Sequence, residues 1–256
     1  MKLYKEIEIR KQADEPTLKM LDLWRSLSKE KTGVAVEVMI GNRREHKQLK
    51  DFDGELYTAS PFVYNNKPFL VLYMDSLSNV NPLMITHEIG HWVLHLQGFY
   101  ALKYSPNNNG NIEILLNSMA EHVPLYALQK SLGHEPETEI EARTLHNIKL
   151  FAKKVKSEKN ITANVLMLTD DIINCSDSNR IALLNVLNKN YPKTSKLTKK
   201  IKVLSSSFNL LSADQNLLFR EKVIEELDLG RGWCKVDNTE GLISLVNKTQ
   251  NKKGSA

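Results

Sequence analysis

A chain of 256 residues, 41% hydrophobic and 25% charged, has enough material for one large or two small cores and is ordinary for a globular protein. Its two cysteines, Cys175 and Cys234, lie far apart without metal-type spacing, which excludes a disulfide framework or a cysteine metal cluster and predicts free thiols. The net charge of +5 is uneven, −3 over residues 1–140 and +8 over residues 141–256, so an acidic partner would meet the second half.

The first ten residues are charged throughout and lack the apolar run of a secretion signal. No stretch approaches the roughly 18 apolar residues of a membrane span, so the reading is a cytoplasmic protein without a membrane partner. Glu15 to Lys31 then read as a helix, with Leu18, Leu21, Trp24 and Leu27 on its apolar face and Thr32-Gly33 as its stop. Three strands are expected next, at 34–40, 54–60 and 68–74, rich in β-branched and aromatic residues. Asn65-Asn66-Lys67 has the chemistry of a tight turn, so the last two strands pair as a hairpin.

A helix follows from Pro82. Asn81 can accept a backbone hydrogen bond as its cap, Pro82 lacks a donor where none is needed, and Gly98 supplies a left-handed stop. Within it stands His87-Glu88-Ile89-Gly90-His91. Residues four apart share a helix face, so His87 and His91 aim two imidazoles at one point, while Glu88 sits about 100° round from His87. Zinc takes imidazole nitrogens at about 2.0 to 2.1 Å, and a catalytic site adds a third protein ligand and keeps one position for water. Glu88 is placed to take that water's proton during attack on a carbonyl and to return it to the leaving group. His95 continues the stripe of His87 and His91, but lies about 12 Å from His87 along the axis, too far to share one ion.

The third ligand is expected on a second helix, from Ile112 through Pro124 to Leu132, where Glu113, Asn117 and Glu121 form one stripe. Glu121, about 15 Å along that helix, suits a tight antiparallel return. Glu113 is the alternative, with Asn117 one turn later to orient a metal-bound histidine. His122, beside Glu121, can hydrogen-bond a transition-state oxyanion or serve as an ordinary buried histidine.

The metal helix and the short sheet before it resemble the IrrE/ImmA-like zinc-dependent peptidases, whose His-Glu-x-x-His helix often ends in a further histidine, as His87 to His95 does here. Those proteins are similar to thermolysin-type gluzincins. The resemblance spans residues 30 to 133 and implies zinc, a glutamate from the following helix as third ligand, and an intracellular protein substrate. The family's Glu-x-x-Ala-Asn-x-Phe-Ala run is only loosely echoed by Glu113 to Ala120. In such folds a sheet edge can receive the substrate as an added strand, which makes residues 54–74 the candidate substrate wall.

From Gly133 to Glu139 the chain turns acidic and contains Pro136, which marks a boundary. Beyond it, helices are expected at 140–155, 162–173, 178–187, 196–204 and 213–227, followed by a polar, frayed tail from Asn247. Lys193, Lys196, Lys199, Lys200 and Lys202 form a basic run without a base-reading motif. The expected whole is an α+β protein: a compact zincin-like domain with a small mixed sheet at 1–135, then an all-α domain at 136–256. Its expected activity is zinc-dependent cleavage of a protein or peptide substrate. The alternative is a zincin scaffold kept for binding, whose basic half contacts nucleic acid or a protein partner.

Overall fold

The computed structural model describes residues 3–41, 58–74, 81–104, 110–153, 155 and 157–253. They form two units: Met1–Gly98 with Leu128–His134 and Asp237–Ala256, and Phe99–Ala127 with Glu135–Val236. This differs from a single division after residue 135. Leu128, Leu132, Leu242 and Val246 supply apolar surface to the first core, so two later segments of the chain belong to it.

The first unit is built on a four-stranded sheet of order β1-β2-β4-β3, with β1 at Leu3–Lys5, β2 at Glu37–Gly41, β3 at Thr58–Tyr64 and β4 at Lys67–Tyr73. The hairpin expected from the Asn-Asn turn is present. Asn65 and Asn66 take φ of 49° and 57°, the left-handed pair that lets β3 and β4 run antiparallel, with Tyr64 opposite Lys67. β2 lies parallel to β4, and β1 is antiparallel to β2. Alternation sorts the strand residues onto two faces. Val38, Ile40, Leu70 and Leu72 enter the main core, while Met39, Phe69, Val71 and Tyr73 form a smaller cluster with Phe62.

Helices α2 at Glu15–Thr32, α3 at Pro82–Leu96 and α10 at Asn238–Lys253 pack into that main core, joined by Ile9. α2 begins where the Asp14 side chain accepts from Thr17 N at 2.9 Å and ends at Gly33, whose φ is +77°. Trp24, fully enclosed, donates its indole N–H to the Val36 carbonyl at 2.8 Å. A short helix, α1 at Glu6–Arg10, sets Glu6 inside, where it accepts from Val38 N at 2.9 Å and pairs with Arg10 and Arg25. α10 extends into the segment expected to be frayed, and Thr249 within it is buried.

The second unit is mainly helical. It holds the two-stranded ribbon β5, Ala101–Tyr104, and β6, Trp233–Val236, with α5 at Glu137–Phe151, α6 at Ile161–Asn174, α7 at Asp177–Asn190, α8 at Pro192–Ser205 and α9 at Ala213–Glu226. These five helices fall on the five expected after the acidic stretch. α4, Gly110–Leu132, runs through Pro124 and contributes its residues up to Ala127 to this unit. Leu116, Met119 and Ala120 of α4 share a core with Val165, Leu166, Ile201, Phe219 and Val223. The architecture is therefore mixed α+β, and no helix among the described residues is long and apolar enough to cross a membrane. Residues 54–57 of the expected second strand and 105–109 of the expected loop lie outside the described residues.

Candidate functional site

α3 forms where the sequence provides both ends of a helix. Asn81 accepts from Leu83 N at 3.0 Å, Pro82 occupies the first turn, and the chain leaves through Gln97 to Gly98 at φ +94°. Between them Ile85, Ile89, Val93 and Leu96 recur at helical spacing and enter the first unit's core. His87 and His91 fall on the other side of the same helix, half-buried, with ring centroids 5.0 Å apart and planes at 76°. Two imidazoles so close on a fixed helix are a donor pair suited to a borderline cation such as zinc.

Glu88 stands next to this pair. Its surface is only partly covered, yet it is crowded by protein, and that desolvation pushes its carboxyl up to about 7, with the His91 charge working the other way. A carboxyl with that proton affinity can accept and return a proton near neutral pH.

The helix is held firmly. Gln129 donates its amide to Thr86 Oγ1 and to the Leu83 carbonyl, both at 3.0 Å, and Trp92 donates its indole N–H to the Ala59 carbonyl on β3 at 3.2 Å. His95 is buried. Its Nε2 lies 3.0 Å from Asn238 Nδ2, its carbonyl accepts from Thr239 Oγ1 at 3.1 Å, and its ring stands edge-on to Trp92. His95 thus ties α3 to the start of α10.

In the second unit the expected ligands of α4 have partners. Glu121 is 3% exposed, and its Oε1 meets Arg220 Nη1 at 3.2 Å. The fully buried Arg220 also donates to Asn117 Oδ1 at 2.7 Å. Asn117 in turn bonds both the N–H and the carbonyl of Leu102, and Glu113 accepts from Tyr104 N at 2.8 Å, so both side chains fasten α4 to β5.

His122 has a different setting. Its Nδ1 lies 2.7 Å from Asp170 Oδ2, which Arg143 Nη2 also meets at 2.9 Å, while Asn174 donates to Asp170 Oδ1 at 2.8 Å. Burial would raise the Asp170 carboxyl, but His122 and Arg143 bring it below the usual range. Arg143 goes on to Asp171 and to the Tyr126 hydroxyl, and burial pushes the Tyr126 phenol well up. Asp170 and Arg143 escaped sequence reading because each is one polar residue on an ordinary amphipathic helix.

No protein family model, curated protein or solved structure matches this chain. The case for function therefore stands on the chemistry of these side chains.

Proposed function

We propose that this protein is a zinc-dependent hydrolase that cleaves a peptide bond in a protein substrate. His87 and His91 would hold the metal with a third protein ligand, and Glu88 would be the general base. The observation that carries this reading is the pair of imidazoles one turn apart on α3, on the side away from its core-facing stripe, with a carboxyl between them in sequence. Zinc in that place supplies Lewis acidity, which makes water a nucleophile near neutral pH and polarises a carbonyl. Glu88 would accept the proton of the attacking water and pass it to the departing amine.

Of the substrate wall expected at 54–74, the described part, 58–74, supports this reading. Among the described residues β3 lies at the edge of its sheet, and its Ala59 carbonyl meets Trp92 of α3. An extended peptide added to that edge would run beside α3. The resemblance to IrrE/ImmA-like peptidases agrees with this choice of substrate.

Replacing Glu88 with Gln removes the base and leaves both imidazoles. Glu88→Gln is expected to retain zinc and lose at least a hundredfold in hydrolysis. New protein N-termini would be profiled in a cell lysate incubated with wild-type protein or with the variant. Termini produced by the wild type alone support the reading, and the same termini at the same rate from Glu88→Gln would overturn it.

A further inference from the structure

We infer that the outer edge of β6 is a docking site for an extended acidic peptide, which adds to the β5–β6 ribbon as a third strand. The inference stands apart from the hydrolase reading and concerns the second unit alone.

In an antiparallel pair, the residues of each strand direct their N–H and C=O alternately toward the partner and away from it. On β5 the outward residues are Leu102 and Tyr104. The Asn117 side chain accepts from Leu102 N and donates to the Leu102 carbonyl, both at 2.9 Å, much as a neighbouring strand would, and Glu113 accepts from Tyr104 N at 2.8 Å. Side chains of α4 therefore close that edge. Leu102 lies opposite Lys235 and Tyr104 opposite Trp233, so Lys235 and Trp233 are the residues of β6 that point outward on the other side. Among the described residues, no strand pairs with β6 on that side, and no backbone hydrogen bond reaches the outward groups of Trp233 or Lys235. Such an edge is a template for one more strand.

The side chains around the edge select which strand. Lys103, Arg231 and Lys235 are exposed, and neither β5 nor β6 contains an acid. Lys235 Nζ lies 3.3 Å from the centre of the Tyr100 ring, so this cation rests on an aromatic face. Trp233 is half-buried and packs on Tyr104, with ring centroids 5.3 Å apart. Strand alternation puts Trp233 and Lys235 on one face of the ribbon. The residues opposite them on an added strand share that face and stand two apart. The favoured segment therefore carries an acid opposite Lys235 and an apolar residue opposite Trp233, with one residue between.

The test titrates the full chain, ¹⁵N-labelled, with a blocked octapeptide that repeats Glu-Thr-Val-Thr twice. Saturable shifts are expected at the Trp233 and Lys235 amides and at the Trp233 indole. Glutamate and valine would face Lys235 and Trp233, and their N–H groups would be the ones that bond β6. N-methylation of those amides should weaken binding at least tenfold, whereas N-methylation of the threonine amides, which point away, should change it less than about threefold. Lys235→Glu should likewise cost at least tenfold and reverse the preference toward a peptide with lysine in place of glutamate. Equal affinity for the two methylated peptides, or no shift at these amides with about 1 mM peptide, would overturn the inference without a variant having to fold. Shifts at the same amides that grow with protein concentration in the absence of peptide would assign the edge to a second copy of the chain and would also overturn it. None of these outcomes depends on zinc, so this inference and the hydrolase reading fail separately.

Discussion

Glu158 accepts from the backbone N–H groups of Lys193 and Thr194 at 2.9 and 2.8 Å and from the Thr194 hydroxyl at 2.7 Å, so it caps the start of α8 from a distant part of the chain. Burial acts to raise its carboxyl, but these donors prevail and hold it below the usual carboxylate range. A carboxyl lowered in the folded state gives stability that is complete above its unfolded pKa of about 4.3 and is lost as pH falls through the folded value. Unfolding free energies by urea should therefore show a gap between wild type and Glu158→Gln at neutral pH that closes as pH falls below about 4. A gap that persisted unchanged in acid would contradict the role. At this scale the sequence was readable where chemistry is local. His87, Glu88 and His91 needed only helix period, and Asn81, Pro82 and Gly98 only capping rules. Glu158, Asp170 and Arg220 were hidden because their partners lie 36, 48 and 99 residues away.

α10 contributes two residues, Leu242 and Val246, that are fully enclosed in the first unit's core, and its first turn bonds His95 of α3. Leu242→Ala should cost about 2 to 5 kcal/mol, the range for a buried leucine whose cavity cannot fully collapse. Hydrogen exchange should then show faster amides in both α10 and α3. Loss of protection in α10 alone would mean that the two helices are not energetically joined. The polar character of residues 247–253 concealed this helix, because its apolar residues sit near the start and its later turns bury Thr249. The β3–β4 hairpin was legible from Asn65-Asn66, since two left-handed residues in a row specify a tight turn. The parallel pairing of β2 with β4 was not. It pairs Val38 directly with Leu70 although β3 intervenes in sequence, and strand period says nothing about which neighbour a strand selects.

The chain as a whole does not divide where its composition changes. The acidic stretch from Gly133 to Glu139 does mark the end of α4, but 99–127 group with the later helices and 237–256 with the first unit. Composition registers solvent exposure, whereas a compact unit is defined by which apolar surfaces cover one another, and the leucines at 128, 132 and 242 carry no mark of their destination. The basic excess of the second half also reads differently in three dimensions: Lys200 pairs with Glu226, and Lys199 donates to Asn188 Oδ1 at 2.7 Å, so part of the lysine run is engaged within the helices. The proposed zinc site on α3 is tested most directly by the zinc content of the whole protein, measured by atomic emission after dialysis against trace zinc. The wild type is expected to carry about one zinc per chain, with His87→Ala and His91→Ala each close to none while still folded by circular dichroism. Zinc absent from the wild type, or retained by both alanine variants, would contradict it.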